Sequence, residues 1–391
     1  MTDPVETVAL FLPSLEVGGA EKVFVQLANA LAGRLKRVDL VLMDSGGPLR
    51  KNIAGNVAIV DLGHRRYREA TRALARYFDR HEPAVIISSL YATGLSAIVA
   101  RMISRHKPRV IVSGHNSFRS KVDRPDNIKD RFLLEPLARL LFPRADAFIA
   151  VSQGVALDMQ TSLRLAPGKF NVIYNPVVND ELLGLAEAGN DHRWLQSPRR
   201  FRTLVTVGRL VEQKGYDVLI HAFRQVAERI DCRLIVVGDG PQLSILRALS
   251  EREGVSDRID FVGLQENPLK FVTRADLFVL SSRWEGLPTV LIEALACGCR
   301  IVSTNCPHGP DEILCGGKYG RLAHVADPVS LADAIVESLS GTAKDEDEVR
   351  FLRERSMDFS VEKSVDAYVR VMEETCQGPG SRSPYPTSVD G

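Results

Sequence analysis

The sequence predicts an α/β protein made of two doubly wound domains. Short apolar runs rich in β-branched residues alternate with segments of helical composition. That alternation breaks off near residue 182 and restarts near residue 201, and the 391 residues exceed what one ordinary core accommodates. Strands that alternate with helices imply parallel sheets covered on both faces.

The elements follow in order. "TVALFL" reads as the first strand, followed by Gly18-Gly19 and the helix "AEKVFVQLANALAG". Then come the strands "RVDLVLM" and "AIVDL", a helix around 66 to 80, "AVIISSL", another helix, and "RVIVSGHN". After a basic insertion, "ADAFIAVS" and "NVIYNPV" complete a first domain, 1–181. The stretch 182–200 loses periodicity and gathers Gly, Asn, Pro and charge, as a linker does. A second domain, 201–358, carries "TLVTVGRL", "RLIVVGDG", "IDFVGL", "LFVLSS" and "RIVSTN", with helices between them. A helix at 359–376 follows, and 377–391 has the composition of a disordered tail.

Hydrophobic residues make up 45% of the chain and charged residues 25%, the balance of a soluble globular protein. No apolar run is long enough to span a bilayer, and "MTDPVETVALFLPS" lacks the basic leader of a signal peptide, so a cytoplasmic location is expected. The six cysteines lack paired zinc spacing; Cys297, Cys299 and Cys306 read as small apolar packing residues, and reduced thiols are expected. The formal charge of +1 hides an asymmetry, because residues 1–180 hold 25 Lys and Arg against 17 Asp and Glu. A basic first half and an acidic second half suggest different partners for the two domains. Neither half contains a G-x-G-x-x-G fingerprint or a P-loop, which argues against dehydrogenase and nucleotide-hydrolase readings.

Chemistry concentrates in the second domain. In "WEGLPTVLIEALACG", Glu285 lies in the loop after a strand and Glu293 in the helix that follows. Taken alone, each acid reads better as an ordinary one, Glu285 as a loop acid and Glu293 as an exposed helix-face residue. Together they stand at the carboxyl end of a parallel sheet, where open α/β sheets bind ligands, beside a helix amino terminus that favours anions. "VGRLVEQKGYD" places Arg209 and Lys214 in another strand-to-helix loop, an arrangement suited to a diphosphate: Arg forks across two oxygens and Lys supplies a point charge. "VVGDGPQ" is a Gly-rich turn consistent with simple strand-to-helix chemistry.

With these motifs in order, the sequence resembles the family 4 glycosyltransferases, retaining enzymes of the GT-B fold, in which two Rossmann-like domains face a central cleft. The resemblance runs from Gly18-Gly19 to about Asp366. It rests on the E-x7-E motif from Glu285 to Glu293, on "G-R-L-x-x-x-K-G-Y-D-x-L-I", on "NPV" at 175–177 and on "GGAEK" at 18–22. It implies that Glu285 faces the donor sugar and Glu293 holds the nucleotide ribose. Arg209 and Lys214 match the phosphate-binding pair, and the backbone of Gly286, Leu287, Thr289 and Val290 matches the loop that wraps sugar and diphosphate. Gly18 and Gly19 match a loop of the first domain that faces the diphosphate, and His115 matches a histidine that reaches the donor sugar. The 359–376 helix crosses back to the first domain in relatives. "CPHGPDEIL" departs from the common G-G-x-x-E variant, which leaves the contacts of Gly309, Pro310 and Glu312 open.

The resemblance further implies transfer of a hexose or N-acetylhexosamine from a nucleotide sugar, UDP-linked by expectation. The implied acceptor is a polyprenyl-diphosphate-linked glycan. No cofactor or metal is expected, since Arg209, Lys214 and a helix dipole can carry the charge of the leaving group, and no nucleic-acid partner is expected. Three alternatives stand beside this reading: a transferase with a soluble acceptor, a nucleotide-sugar epimerase of the same fold, and a non-catalytic nucleotide-sugar binder. The E-x7-E spacing argues against the epimerase. Finally, Arg65, Arg68, Arg72 and Arg76 recur at helical spacing opposite Tyr67, Ala70, Leu74 and Tyr77, with Lys121, Arg124, Lys129 and Arg131 in the basic insertion. An ordinary solvated helix face accounts for this spacing equally well. The basic charge of the first half favours a peripheral contact with the anionic inner face of the cytoplasmic membrane.

Overall fold

A computed structural model describes the chain except residues 1–4, 17, 90, 119–127, 191, 199, 342–343 and 378–391, and it describes 128–134 by backbone only. Its residues form two compact units: one of 1–151, 156–173 and 362 onward, the other of 152–155 and 174–361.

The first unit is built on a seven-stranded sheet of order β3-β2-β1-β4-β5-β6-β7. Its strands are β1 (Thr7–Leu12), β2 (Arg37–Leu42), β3 (Ala58–Asp61), β4 (Val85–Ser88), β5 (Arg109–Gly114), β6 (Ala147–Ala150) and β7 (Phe170–Val172). All pairings are parallel, including Val8 with Val38 and Val8 with Val85. Central strands covered on both faces need continuous apolar sequence, and β4 accordingly buries all four of its residues. The last strand is shorter than "NVIYNPV" suggests. Pro176 has no N–H to give a ladder, and the N–H groups of Val177 and Val178 both donate to the Phe359 carbonyl, at 3.0 and 3.1 Å.

The second unit carries six parallel strands in the order β10-β9-β8-β11-β12-β13. They are β8 (Arg202–Val207), β9 (Cys232–Val237), β10 (Ile259–Gly263), β11 (Leu277–Leu280), β12 (Ile301–Thr304) and β13 (Arg321–Ala323). The last of these, and the helices Pro328–Leu339 and Glu346–Ser356, complete the unit beyond the sequence-based pattern. The helix Tyr216–Ala227 packs Leu219, Phe223 and Val226 into a core shared with Leu234, Leu277 and Ile335, every one of them at most 1% exposed.

The unit boundary falls at 173/174 rather than at 181/182. The 182–200 segment is not a free linker, because it holds part of the helix Asp180–Ala186 and buries Trp194 and Leu195. The Thr203 hydroxyl donates to the Trp194 carbonyl at 2.9 Å, and the Asn267 amide donates to the Leu185 carbonyl at 2.8 Å. A single large aromatic anchor thus ties an irregular segment to the second unit. The terminal helix, Val361–Gln377, belongs to the first unit from Glu362 onward, where Asp366 pairs with Arg34. Among the described residues, no helix is long and apolar enough to cross a membrane.

Candidate active site

In the second unit the strand order reverses between β8 and β11, the topological switch point beside which open α/β sheets bind ligands at the carboxyl ends of their strands. The loop after β8 carries Arg209 and Lys214; the loop after β11 carries Glu285. The fold brings them together. Lys214 Nζ lies 2.6 Å from Glu285 Oε1, and the Ser282 hydroxyl donates to the same oxygen at 2.6 Å. Glu285 is 6% exposed, so its charge is balanced by a half-buried cation and a hydroxyl rather than by bulk water.

Several bonds hold the two loops in register. The Gln213 side-chain amide donates to the Trp284 carbonyl at 2.9 Å, the Arg283 N–H to the Gln213 carbonyl at 2.7 Å, and the Ser281 hydroxyl to the Lys214 carbonyl at 2.8 Å. Arg283 clamps Asp217 through two bonds of 2.8 and 2.6 Å. That pairing holds the Asp217 carboxyl below its ordinary range despite its partial burial. Gly215 sits at φ 61°, and a side chain there would collide with the Ser281 carbonyl oxygen, so only glycine allows the turn to dock this closely.

Lys214 has three donors and Glu285 takes one of them, which leaves capacity for an anion. Arg209 is exposed and forms no ion pair with a described residue. Beyond Gly286 and Leu287, the helix Thr289–Ala296 begins without a side-chain cap, and Thr289 and Val290 lie half-buried in its first turn. Its amino end therefore presents backbone N–H groups and the positive end of the dipole. Glu293 is half-buried farther along the same helix. Gly309 adopts φ 95° and packs its backbone against Pro288 and Gly286. The Glu312 carboxylate accepts from the Gln153 N–H at 3.0 Å through each oxygen and from the Tyr174 hydroxyl, so the fold itself takes up this acid. Burial raises its pKa.

In the first unit, His115 follows β5 directly and is 7% exposed. Its Nε2 lies 3.0 Å from the Ser113 hydroxyl, and the edge of Phe24 packs on its ring at 5.4 Å between centroids. Burial lowers its pKa to about 4, which keeps the imidazole neutral at pH 7. Gly18 precedes the helix Gly19–Leu31, and a side chain on it would strike the Glu21 carboxylate, whereas Gly19 has open space. That carboxylate is the far end of a flexible side chain and can swing aside, so no steric demand of the fold accounts for glycine at either position.

The basic helix spans Tyr67–His81. Arg68, Arg72 and Arg76 are exposed, and Ala70, Leu74 and Tyr77 are buried, as the spacing predicts. Two residues depart from that pattern. Arg65 precedes the helix and bonds Asp44 at 2.6 Å, and Tyr67, the first helical residue, is 40% exposed. Lys121 and Arg124 lie outside the described residues, and the side chains of Lys129 and Arg131 are likewise not described. An Asp-x-Asp triplet, a pattern that can hold a divalent ion, occurs at Asp345-Glu346-Asp347. It is committed elsewhere: Asp345 caps the helix Glu346–Ser356 by accepting from the Glu348 N–H, and Asp347 pairs with Arg350. Among the described residues no cluster of His, Cys, Asp and Glu could hold a metal ion. Sequence reasoning did not single out Ser282, Gln213 or Ser113 as site residues. Each stands in a quoted stretch, Gln213 in "VGRLVEQKGYD", Ser113 in "RVIVSGHN" and Ser282 in "LFVLSS", but the contacts they make are revealed only by the folded chain.

Two family models divide the chain between them. Residues 17–181 match "Glycosyltransferase Family 4" and residues 189–353 match "Glycosyl transferases group 1". The chain belongs to the family 4 glycosyltransferases. Among relatives, an uncharacterized glycosyltransferase of Methanocaldococcus jannaschii is 28% identical over 61% of this chain and 66% of its own length. An N-acetylgalactosamine-N,N'-diacetylbacillosaminyl-diphospho-undecaprenol 4-alpha-N-acetylgalactosaminyltransferase of Campylobacter jejuni is 27% identical over 55% of this chain and 54% of its own. The chain thus spans between about half and two thirds of the length of these relatives. Anabaena HepE, solved in complex with UDP, superposes with a TM-score of 0.76 at 18% identity, covering 94% of this chain and 99% of that one. The fold of this family 4 member is accordingly GT-B.

Proposed function

We propose that the protein is a retaining, metal-independent glycosyltransferase that moves a hexose or N-acetylhexosamine from a UDP-sugar to a polyprenyl-diphosphate-linked glycan. The observation that carries this reading is the Lys214–Glu285–Ser282 constellation at the strand-order reversal, beside Arg209 and an uncapped helix terminus. In the reaction the bond from the sugar C1 to the diphosphate oxygen breaks, and a bond from C1 to an acceptor oxygen forms on the same face. The acceptor proton passes to the leaving phosphate. Arg209, Lys214 and the N–H groups from Gly286 to Val290 face the developing negative charge, and no metal is needed for that role. Glu285 accepts from sugar hydroxyls, Glu293 from the ribose, and neutral His115 bonds the sugar. Gly18 and Gly19 bring backbone to the diphosphate.

The relative from Campylobacter jejuni acts on an undecaprenol diphosphate, and the solved HepE holds UDP; both support this choice of acceptor and donor. An acceptor of this kind lives in a bilayer, so the exposed face of Arg68, Arg72 and Arg76 serves as a peripheral contact with anionic lipid on the cytoplasmic side. The deciding experiment incubates purified protein with a panel of nucleotide sugars and lipid-linked or soluble acceptors, read by mass spectrometry and anomeric NMR. Transfer from a UDP-sugar with retained configuration is the expected result. Release of an altered sugar without an acceptor would make it an epimerase, and binding without turnover would make it a receptor.

A further inference from the structure

The loop that follows Glu285 is held by a residue far away in the sequence. The Ser152 hydroxyl donates to the Gly286 carbonyl at 3.0 Å, across 134 positions, and Ser152 is fully buried. Residues 152–155 belong to the second unit, so this bond lies within it. The same hydroxyl accepts from the Val155 N–H at 3.2 Å, which leaves its single proton for Gly286. The neighbouring residue anchors the segment, because the Gln153 N–H donates to both carboxylate oxygens of Glu312 at 3.0 Å. Arg355 in turn donates to the carbonyls of Glu312 and Ile313 at 2.7 and 3.0 Å. Ser152 is therefore a fixed point against which the loop is set.

The geometry of one peptide gives this bond a direction. A trans peptide is planar, with its C=O and N–H pointing opposite ways, and the bond between Gly286 and Leu287 is trans. A Gly286 carbonyl turned to Ser152 therefore turns the Leu287 N–H away from it. Gly286 has no Cβ, so without an anchor the peptide that follows it would rotate with little steric resistance. Gly286 and Leu287 are both buried, and neither N–H has a hydrogen-bond partner among the described residues. Buried N–H groups are rarely left unpaired, since each lost bond is costly. These two follow directly on Glu285, whose carboxylate holds Lys214, a cation with donors to spare. Unpaired backbone donors beside a lysine suit an anion, and consecutive N–H groups form the concavities in which phosphates bind.

We propose that Ser152 is a positioning residue that locks the Gly286–Leu287 peptide with its N–H turned to an oxygen of the donor diphosphate. This rests on the nucleotide-sugar reading above and adds the residue that orients the loop's backbone donors.

The test compares the full-length wild type with Ser152→Ala in calorimetric titrations with UDP and NMR titrations with uridine, which has no phosphate. UDP affinity falls about tenfold in the variant, the scale of one hydrogen bond to a charged group, and uridine affinity stays within about twofold. Turnover in transfer assays falls by a comparable factor, because the same N–H faces the charge that develops on the leaving group. A hydroxyl that only supported the fold would weaken both ligands alike. In wild-type protein labelled with ¹⁵N-leucine, with Leu287 assigned by difference against Leu287→Met, the Leu287 amide proton moves downfield with UDP and stays in place with uridine. Three results overturn the role of Ser152 while leaving the nucleotide site standing: equal UDP affinity in wild type and variant, equal losses for both ligands, or a Leu287 amide that UDP leaves unmoved. Failure of the wild type to bind UDP overturns the nucleotide reading and this proposal together. Should Ser152→Ala fail to fold, the wild-type Leu287 signal still decides.

Discussion

At the scale of single residues, the pair of Lys214 and Glu285 joins stability to chemistry. Glu285 is buried and its partner is largely so, with Nζ and Oε1 2.6 Å apart. Removing either partner alone strands a desolvated charge, which typically costs about 3–5 kcal/mol, whereas replacing both with apolar groups costs far less. Lys214→Met and Glu285→Leu should each lower the urea midpoint clearly, and the double variant should recover part of the loss. Simple additivity would mean that the pair is not coupled. In transfer assays Glu285→Gln should reduce turnover about a hundredfold, the scale of a lost transition-state electrostatic contact. His115 supports a second expectation. Its folded pKa, about 4, lies below the ordinary value near 6.5, so the unfolded chain binds this proton more readily. The stability it contributes is complete above pH 6.5 and falls away as pH drops towards 4, amounting to about 2 kcal/mol by pH 5. Denaturation of wild type and His115→Asn at pH 7.5 and pH 5 should show the steeper loss in wild type; parallel losses would contradict the assignment.

At the scale of elements, the helix Tyr67–His81 shows how one segment divides its labour. Ala70, Leu74 and Phe78 are fully buried, and the Tyr77 hydroxyl donates to the Asp39 carboxylate at 2.6 Å, which fixes the helix on the sheet. Arg68, Arg72 and Arg76 are left facing outward with no ion pair to a described residue. Each cation near an anionic bilayer contributes about 1 kcal/mol, screened by salt. Wild-type protein should sediment with vesicles containing phosphatidylserine at low salt and release from them at high salt. Reversal of Arg68, Arg72 and Arg76 to Glu should abolish sedimentation with UDP affinity intact. Equal sedimentation on neutral and anionic vesicles would assign the face to ordinary solvent exposure.

At the scale of the whole molecule, the two units carry different chemistry. The proposed nucleotide side is the acidic second unit, in which the loops after β8 and β11 converge on Lys214 and Glu285. UDP added to the full chain should slow hydrogen exchange in peptides spanning 208–217 and 282–293, and excess EDTA should leave that protection and the turnover in place. Protection that appears only with Mg²⁺ would refute the proposed role of Arg209 and Lys214. Both sheets apart from β13, the alternation of elements, and the loop or helix that holds each of Glu285, Glu293, Arg209 and Lys214 were legible in the sequence. Apolar periodicity and glycine or proline punctuation are local signals, and they are written in consecutive residues. The anchoring of 182–200 by Trp194 was not legible, because a lone buried aromatic in a polar stretch has no period. The pairing of Lys214 with Glu285, 71 residues apart, was decided only in three dimensions. Sequence spacing specifies which loop a residue occupies, but strand order decides which loops become neighbours, and burial decides which of their polar groups must find each other.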